Sequence, residues 1–240
     1  LALAAAPRLV AQGLPAGKPA ELGFSTERLA RLDTLFQSYV REGRTPGVVA
    51  LVARHGQVVW SGAFGMADRE AARPMRPDAL FRIASQSKAV TSVAAMILVE
   101  EGRLRLDEPV SKYISNFATA RVAVATDSSP VLVPVRRAVT IRQLLTQTAG
   151  LSYGTESLIR DDYRAAGLGP AAGHGWYLAN KAEPSCATMD RLGTLPLAAQ
   201  PGEAWIYGYD TDVLGCVVER ASGVPLDRFF QQRIFGPLQM

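Results

Sequence analysis

The chain has 240 residues, 48% of them hydrophobic and 20% charged, which is enough to bury a core without staples. Its formal net charge of +4 comes from 26 basic and 22 acidic residues, and the basic ones are scattered, with pairs such as Arg136-Arg137 the longest runs. No nucleic-acid groove is therefore expected, and the lack of an uninterrupted apolar run of ~18 residues argues against a membrane-spanning helix.

The first residues, Leu1-Ala2-Leu3-Ala4-Ala5-Ala6, run into a Pro/Gly-rich stretch ending near Pro19. This resembles the back half of a secretory signal, so residues 1–21 are read as a signal remnant or disordered tail. The expected location is then periplasmic or secreted, with a frayed end and a cytoplasmic protein as the alternative. Ser25 is an N-cap candidate for a helix in which Leu29, Leu32, Leu35, Phe36 and Tyr39 recur at helical spacing up to Gly43. Val48–Ala53 and Val58–Trp60 are β-like runs separated by His55-Gly56, which predicts a hairpin.

Phe81–Ala84 leads into Ser85, where a helix with nearly all-apolar faces begins (Ala89, Val90, Val93, Ala94, Ile97, Leu98), and Gly102 ends it. Such a helix belongs in the middle of a protein. Asp107-Glu108-Pro109 predicts a short helix. Residues 117–137 read as irregular, with no later strand comparable to the hairpin. Thr140 should cap a helix ending near Gly150, and further helices are expected around 156–166, 188–194, 210–222 and 226–234. Cys186 and Cys216 show no metal-like spacing, and Cys216 sits in the run Val213–Val218, so a small core residue is expected there rather than a disulfide. His55 and His174 have no partner at ligand spacing, and neither metal nor cofactor is expected.

Ser85-Gln86-Ser87-Lys88 carries the clearest chemistry. A serine hydroxyl needs a base, and residues at i and i+3 of a helix share one face. The apolar surroundings should desolvate the Lys88 ammonium and lower its pKa, while the helix N-terminus offers N–H groups to an oxyanion. On four residues alone, the blander reading is a helix cap and a snorkelling lysine. Pro201-Gly202-Glu203-Ala204-Trp205-Ile206-Tyr207-Gly208-Tyr209 is a turn followed by aromatics, either a loop anchor or a proton-carrying tyrosine.

Taken in order, Phe81–Thr91, Leu104–Val110, Leu144-Leu145-Thr146-Gln147-Thr148-Ala149-Gly150-Leu151 and Pro201–Gly215 resemble the serine β-lactamase-like family, which includes class C β-lactamases, D-alanyl-D-alanine carboxypeptidases and family VIII esterases. The resemblance runs from about Leu22 onward and is strongest to the esterases. It implies an α/β fold of the α+β type, with an antiparallel sheet flanked by helices and a mostly helical part. Residues 22–84 would supply the helix and hairpin of the α/β part and 85–240 the helical part, together an incomplete, N-terminal share of the fold. It also implies Ser85 as acylated nucleophile, Lys88 as its base and Tyr207 as proton carrier, with Tyr209 as the substitute if the register differs. Tyr209, Gln147 and Trp176 are then candidate substrate contacts.

Three departures bear on substrate. The β-lactamase Tyr-x-Asn is Tyr207-Gly208-Tyr209 here, without the Asn that contacts a lactam side-chain amide, which favours a carboxylic ester over a β-lactam or D-alanyl peptide. The usual His of Leu-Leu-Thr-His-Thr is Gln147. The family's last motif, with one oxyanion N–H, would lie beyond Met240. A non-catalytic member that binds peptidoglycan or another partner is the remaining alternative. The expected partner is a small-molecule ester or lactam, and oligomeric state is not legible.

Overall fold

The computed structural model describes residues 13–127, 129–173 and 182–240. Its chain forms two compact units, one ending at Ile83 and one starting at Ala84.

The first unit is a helix on a small antiparallel sheet. Helix α1 (Thr26–Arg41) starts where the Ser25 side chain accepts from the Arg28 N–H at 3.2 Å. Strands β1 (Gly47–Arg54) and β2 (Gln57–Asp68) pair antiparallel from Gly47↔Gly65 to Arg54↔Gln57, and β3 (Arg73–Pro74) adds a short edge. The expected turn is there: His55 and Gly56 have φ of 50° and 71°, the paired positive values that suit a two-residue hairpin loop. β2 runs well past the Val58–Trp60 stretch anticipated. Its Trp60 and Phe64 stack against Phe36 of α1 at centroid distances of 5.9 and 5.7 Å, which joins helix to sheet.

The second unit is built around helix α6 (Asp210–Ser222), whose residues Val213 to Val218 are all buried. Helix α2 (Ser87–Glu100) packs on α6 and buries Thr91, Ala94, Ala95 and Leu98. Its burial is one-sided rather than all-round, since Val93 and Met96 on other faces are exposed.

Several expectations change. Residues 117–137 contain a hairpin, β4 (Arg121–Val124) with β5 (Val131–Pro134), whose strands of four residues are too short to show a period. Only Val122 and Ala123 are buried there, and Val122 also bridges to Leu197. The Asp107-Glu108-Pro109 helix is instead a 3-10 turn at Val110–Lys112, with Pro109 just before it. Helix α3 (Ile141–Leu145) begins with the reciprocal Thr140–Gln143 capping box but stops well before Gly150, because Gln147 takes a left-handed φ of 56°. Helices α4 (Arg160–Ala165) and α5 (Ser185–Leu192) lie near the expected places. Helix α7 (Leu226–Phe230) gives way to a π-turn at Gln231–Phe235.

Cys186 and Cys216 form a disulfide, contrary to expectation. Cys216 is a buried core residue as anticipated, but α5 packs on α6 and brings the two Cα atoms to 5.1 Å, within bridging range.

Candidate active site

All the described candidate groups lie in the second unit. Ala84 has φ of 45°, an uncommon value for a residue with a Cβ, and it starts the 3-10 turn Ala84–Gln86 that places Ser85 at the mouth of α2. Lys88 follows one turn later and donates from Nζ to Ser85 Oγ at 3.2 Å. The opposite side of the site is the segment before α6. There the Tyr207 hydroxyl lies 2.6 Å from Ser85 Oγ, and Lys88 Nζ sits 4.6 Å from the Tyr207 ring centroid.

The Tyr207 segment is held by the loop after α3. Ala198 N–H donates to Gly150 O (2.8 Å), Gly202 N–H to Thr148 O (2.7 Å) and Ile206 N–H to Gln147 O (2.9 Å). Two glycines permit this approach. Gly150 has φ of 82°, and a Cβ there would lie 2.1 Å from Ala199 O; one on Gly208 would meet Leu151 O at 2.6 Å. The sequence motifs around residues 144–151 and 201–209 are thus two sides of one scaffold.

Electrostatics differ from expectation at Lys88. Burial does pull its pKa down, but hydrogen bonding to Tyr207 and the proximity of Tyr153 outweigh it, and the net shift is upward. The counterpart is Tyr207, whose phenol is lowered by hydrogen bonds from Lys88 and Ser85 against a smaller effect of burial. The two shifts run in opposite senses, favouring the Lys88 ammonium and weakening the hold of Tyr207 on its proton. Tyr153 is a site residue that motif reading missed. Burial raises its phenol against the pull of Lys88, and its ring meets Tyr207 edge-on at 5.7 Å and Tyr209 at 4.8 Å. Its only sequence signal was a place two residues after the Ala149-Gly150-Leu151 turn.

Two acids lie close behind. Burial raises Asp212 to about 6, with Lys88 opposing, and raises Asp210 to about 8. Among the described residues no hydrogen-bond partner reaches either Asp210 oxygen or the Tyr163 hydroxyl; the N–H groups of Asp210 and Ala149 only moderate the Asp210 shift.

The other named residues are placed as follows. Tyr209 is 1% exposed; its ring stacks near Tyr163, and its hydroxyl accepts from the Gly169 N–H at 3.0 Å. Gln147 is 9% exposed, and its amide is engaged by Gly208 and Thr211. Both side chains thus face the protein interior. Trp176 and His174 lie outside the described residues. Trp205, 67% exposed, stacks on Tyr207 at the rim. Among the described residues no group of three or more His, Cys, Asp or Glu could hold a metal ion.

The family described as Beta-lactamase matches residues 32–240. Esterase EstB of Burkholderia gladioli is 39% identical over 211 residues, covering 88% of this chain and 50% of EstB. Acyltransferase mokF of Monascus pilosus is 31% identical over 95% of this chain and 55% of its own length. The structure of EstCE1, a hydrolase with promiscuous acyltransferase activity, superimposes with a TM-score of 0.75 at 34% identity, covering 89% of this chain and 52% of EstCE1. The chain spans about half the length of these relatives.

Proposed function

This chain belongs to the beta-lactamase family, and we propose that it carries the nucleophile of a serine hydrolase that cleaves carboxylic esters through an acyl-enzyme at Ser85. The observation that carries this reading is the contact of one exposed serine oxygen with both Tyr207 and Lys88. Lys88 donates to Ser85 Oγ, so the serine's own proton is directed at Tyr207. Tyr207, whose lowered pKa favours its phenolate, accepts it in that form. Tyr207 is thus the immediate base, and the Lys88 ammonium favours its ionised form.

The steps follow from that arrangement. Ser85 Oγ attacks the ester carbonyl as its proton passes to Tyr207. The tetrahedral intermediate collapses to acyl-serine, and the departing alkoxide takes the proton from Tyr207. Water then attacks the acyl carbon, gives a proton to Tyr207, and the acid leaves as that proton returns to Ser85. An alcohol in place of water would give acyl transfer by the same steps, as the names of mokF and EstCE1 suggest for those proteins.

Ester is favoured over lactam by Tyr209. It stands where β-lactamases carry Asn, and its burial turns that position into core. Export is supported by the Cys186–Cys216 disulfide, since such bonds persist in oxidising compartments, and no described helix is long and apolar enough to cross a membrane.

The test is intact-mass spectrometry after fluorophosphonate treatment of the intact protein, with initial rates on p-nitrophenyl butyrate and a chromogenic cephalosporin. An adduct at Ser85 that Ser85→Ala abolishes, with the ester preferred, supports the reading. No adduct on folded protein would point to a binding member, and preference for the cephalosporin would overturn the ester assignment.

A further inference from the structure

Tyr207 is placed by one residue on both sides. The Ile206 N–H donates to the Gln147 backbone oxygen at 2.9 Å, and the Gly208 N–H donates to Gln147 Oε1 at 3.1 Å. The remaining amide arm reaches toward Thr211 Oγ1 at 3.4 Å, in the first turn of α6. Gln147 can do this because its left-handed φ of 56° ends α3 and turns both its carbonyl and its side chain to the same segment. It is also nearly buried, so an N–H left without its acceptor there would be costly. Gly208 is pressed against Leu151 and Ser152, so the segment has little room to adjust if the clamp opens.

We propose that Gln147 is a positioning residue for Tyr207, and that its amide keeps the proton carrier in register with Ser85 irrespective of acidity. The inference rests on the reading of Tyr207 as proton carrier. An imidazole at this position could accept from the Gly208 N–H only while neutral. An amide oxygen accepts at every working pH. A glutamine here therefore adds no titration of its own to the scaffold, whereas a histidine would.

Ionisable groups on the surrounding elements are Lys88 and Glu100 on α2, Arg142 on α3, Tyr153 after it, Glu203, Tyr207 and Tyr209 on the clamped segment, and Asp210, Asp212, Glu219 and Arg220 on α6. Asp212 also titrates in the acid range, so the informative quantity is the ratio of variant to wild-type kcat at each pH, in which shared titrations cancel.

The experiment uses the intact protein with p-nitrophenyl butyrate and compares Gln147→Leu, Gln147→Glu and Gln147→His between pH 5 and 8.5. Gln147→Leu should lower kcat about tenfold to a hundredfold with little change in KM, the loss expected when a buried donor loses its acceptor. Gln147→Glu, whose carboxylate can accept, should recover part of that loss near pH 7. The Gln147→His ratio should fall at least about tenfold between pH 8 and pH 5, through the imidazole range near 6.5. A flat Gln147→His ratio, or wild-type kcat in Gln147→Leu, would overturn the proposal, and the histidine ratio decides even if the leucine variant fails to fold. Tyr207→Phe separates the two layers. Full activity in Tyr207→Phe defeats the reading of Tyr207 itself, whereas an inactive Tyr207→Phe with a flat histidine ratio defeats the Gln147 clamp alone.

Discussion

Ser85 Oγ lies closer to the Tyr207 hydroxyl, at 2.6 Å, than to Lys88 Nζ, at 3.2 Å. With Lys88 shifted up and Tyr207 shifted down, the tyrosine is the better acceptor and the lysine the better cation. In the proposed mechanism the active form is the phenolate, so the rate should rise with pH through the Tyr207 pKa. Lys88→Met removes the first cause of the lowered pKa and should move this limb to higher pH. Ultraviolet difference titration of the phenols should show the same displacement. An unmoved limb and titration, with activity lost, would assign Lys88 a different role. Tyr207→Phe should cost about 10²–10⁴ in kcat, the range of general acid–base catalysis.

Asp210 should make stability depend on pH in a defined sense. Its folded pKa of about 8 lies above its ordinary value of 3.8, so the folded state holds a proton that the unfolded state releases. The folded protein is favoured below pH 4 and loses that advantage as pH rises toward 8, by at most about 1.4 kcal/mol per pH unit for one group. Asp212, raised to about 6, adds to the slope only in the lower part of that window. Urea unfolding from pH 5 to 8.5 should show stability declining, and Asp210→Asn should flatten the decline between pH 6 and 8. An unaltered slope in the variant would show that Asp210 is ionised in the folded state.

What was legible in the sequence was what repeats along it. The spacing of Leu29, Leu32, Leu35 and Phe36 found α1, His55-Gly56 found the hairpin, and the run after Asp210 found α6. The β4–β5 hairpin was not legible, because four-residue strands with two buried positions lack a period. Tyr153 and the Lys88 shift depend on which side chains converge from residues 88, 153 and 207, and no spacing along the chain encodes that. The reading of Lys88 counted the burial correctly but lacked the phenols that oppose it. Gln147 was noticed as a departure from a motif, yet its consequence needed the Ile206 and Gly208 hydrogen bonds.

Gly150 joins the two motif segments and should tolerate no side chain. A Cβ would lie 2.1 Å from Ala199 O, and the left-handed φ adds about 1–2 kcal/mol for an L residue. Gly150→Ala should therefore lower the urea midpoint by more than the conformational term alone. Because Ala198 N–H and Gly202 N–H both bond to this loop, Tyr207 should be displaced as well, and kcat should fall in molecules that remain folded. A destabilised variant with undiminished kcat would show that the Tyr207 segment is held independently of Gly150.

The Cys186–Cys216 disulfide closes a separation of 30 residues that contains Tyr207 and the start of α6. A cross-link of that span is expected to stabilise by about 3–4 kcal/mol through the unfolded chain. Cys186→Ser with Cys216→Ser should lose about that amount in urea, and wild-type protein unfolded with reductant present should show a similar loss. The two measurements separate the cross-link from the packing of Cys216, which stays in the reduced wild type and is altered by serine. If reduction changes nothing while the double variant is destabilised, the buried Cys216 side chain, rather than the bond, holds α5 to α6. If both lose stability equally, the bond fixes the helix pair on which the Tyr207 segment ends.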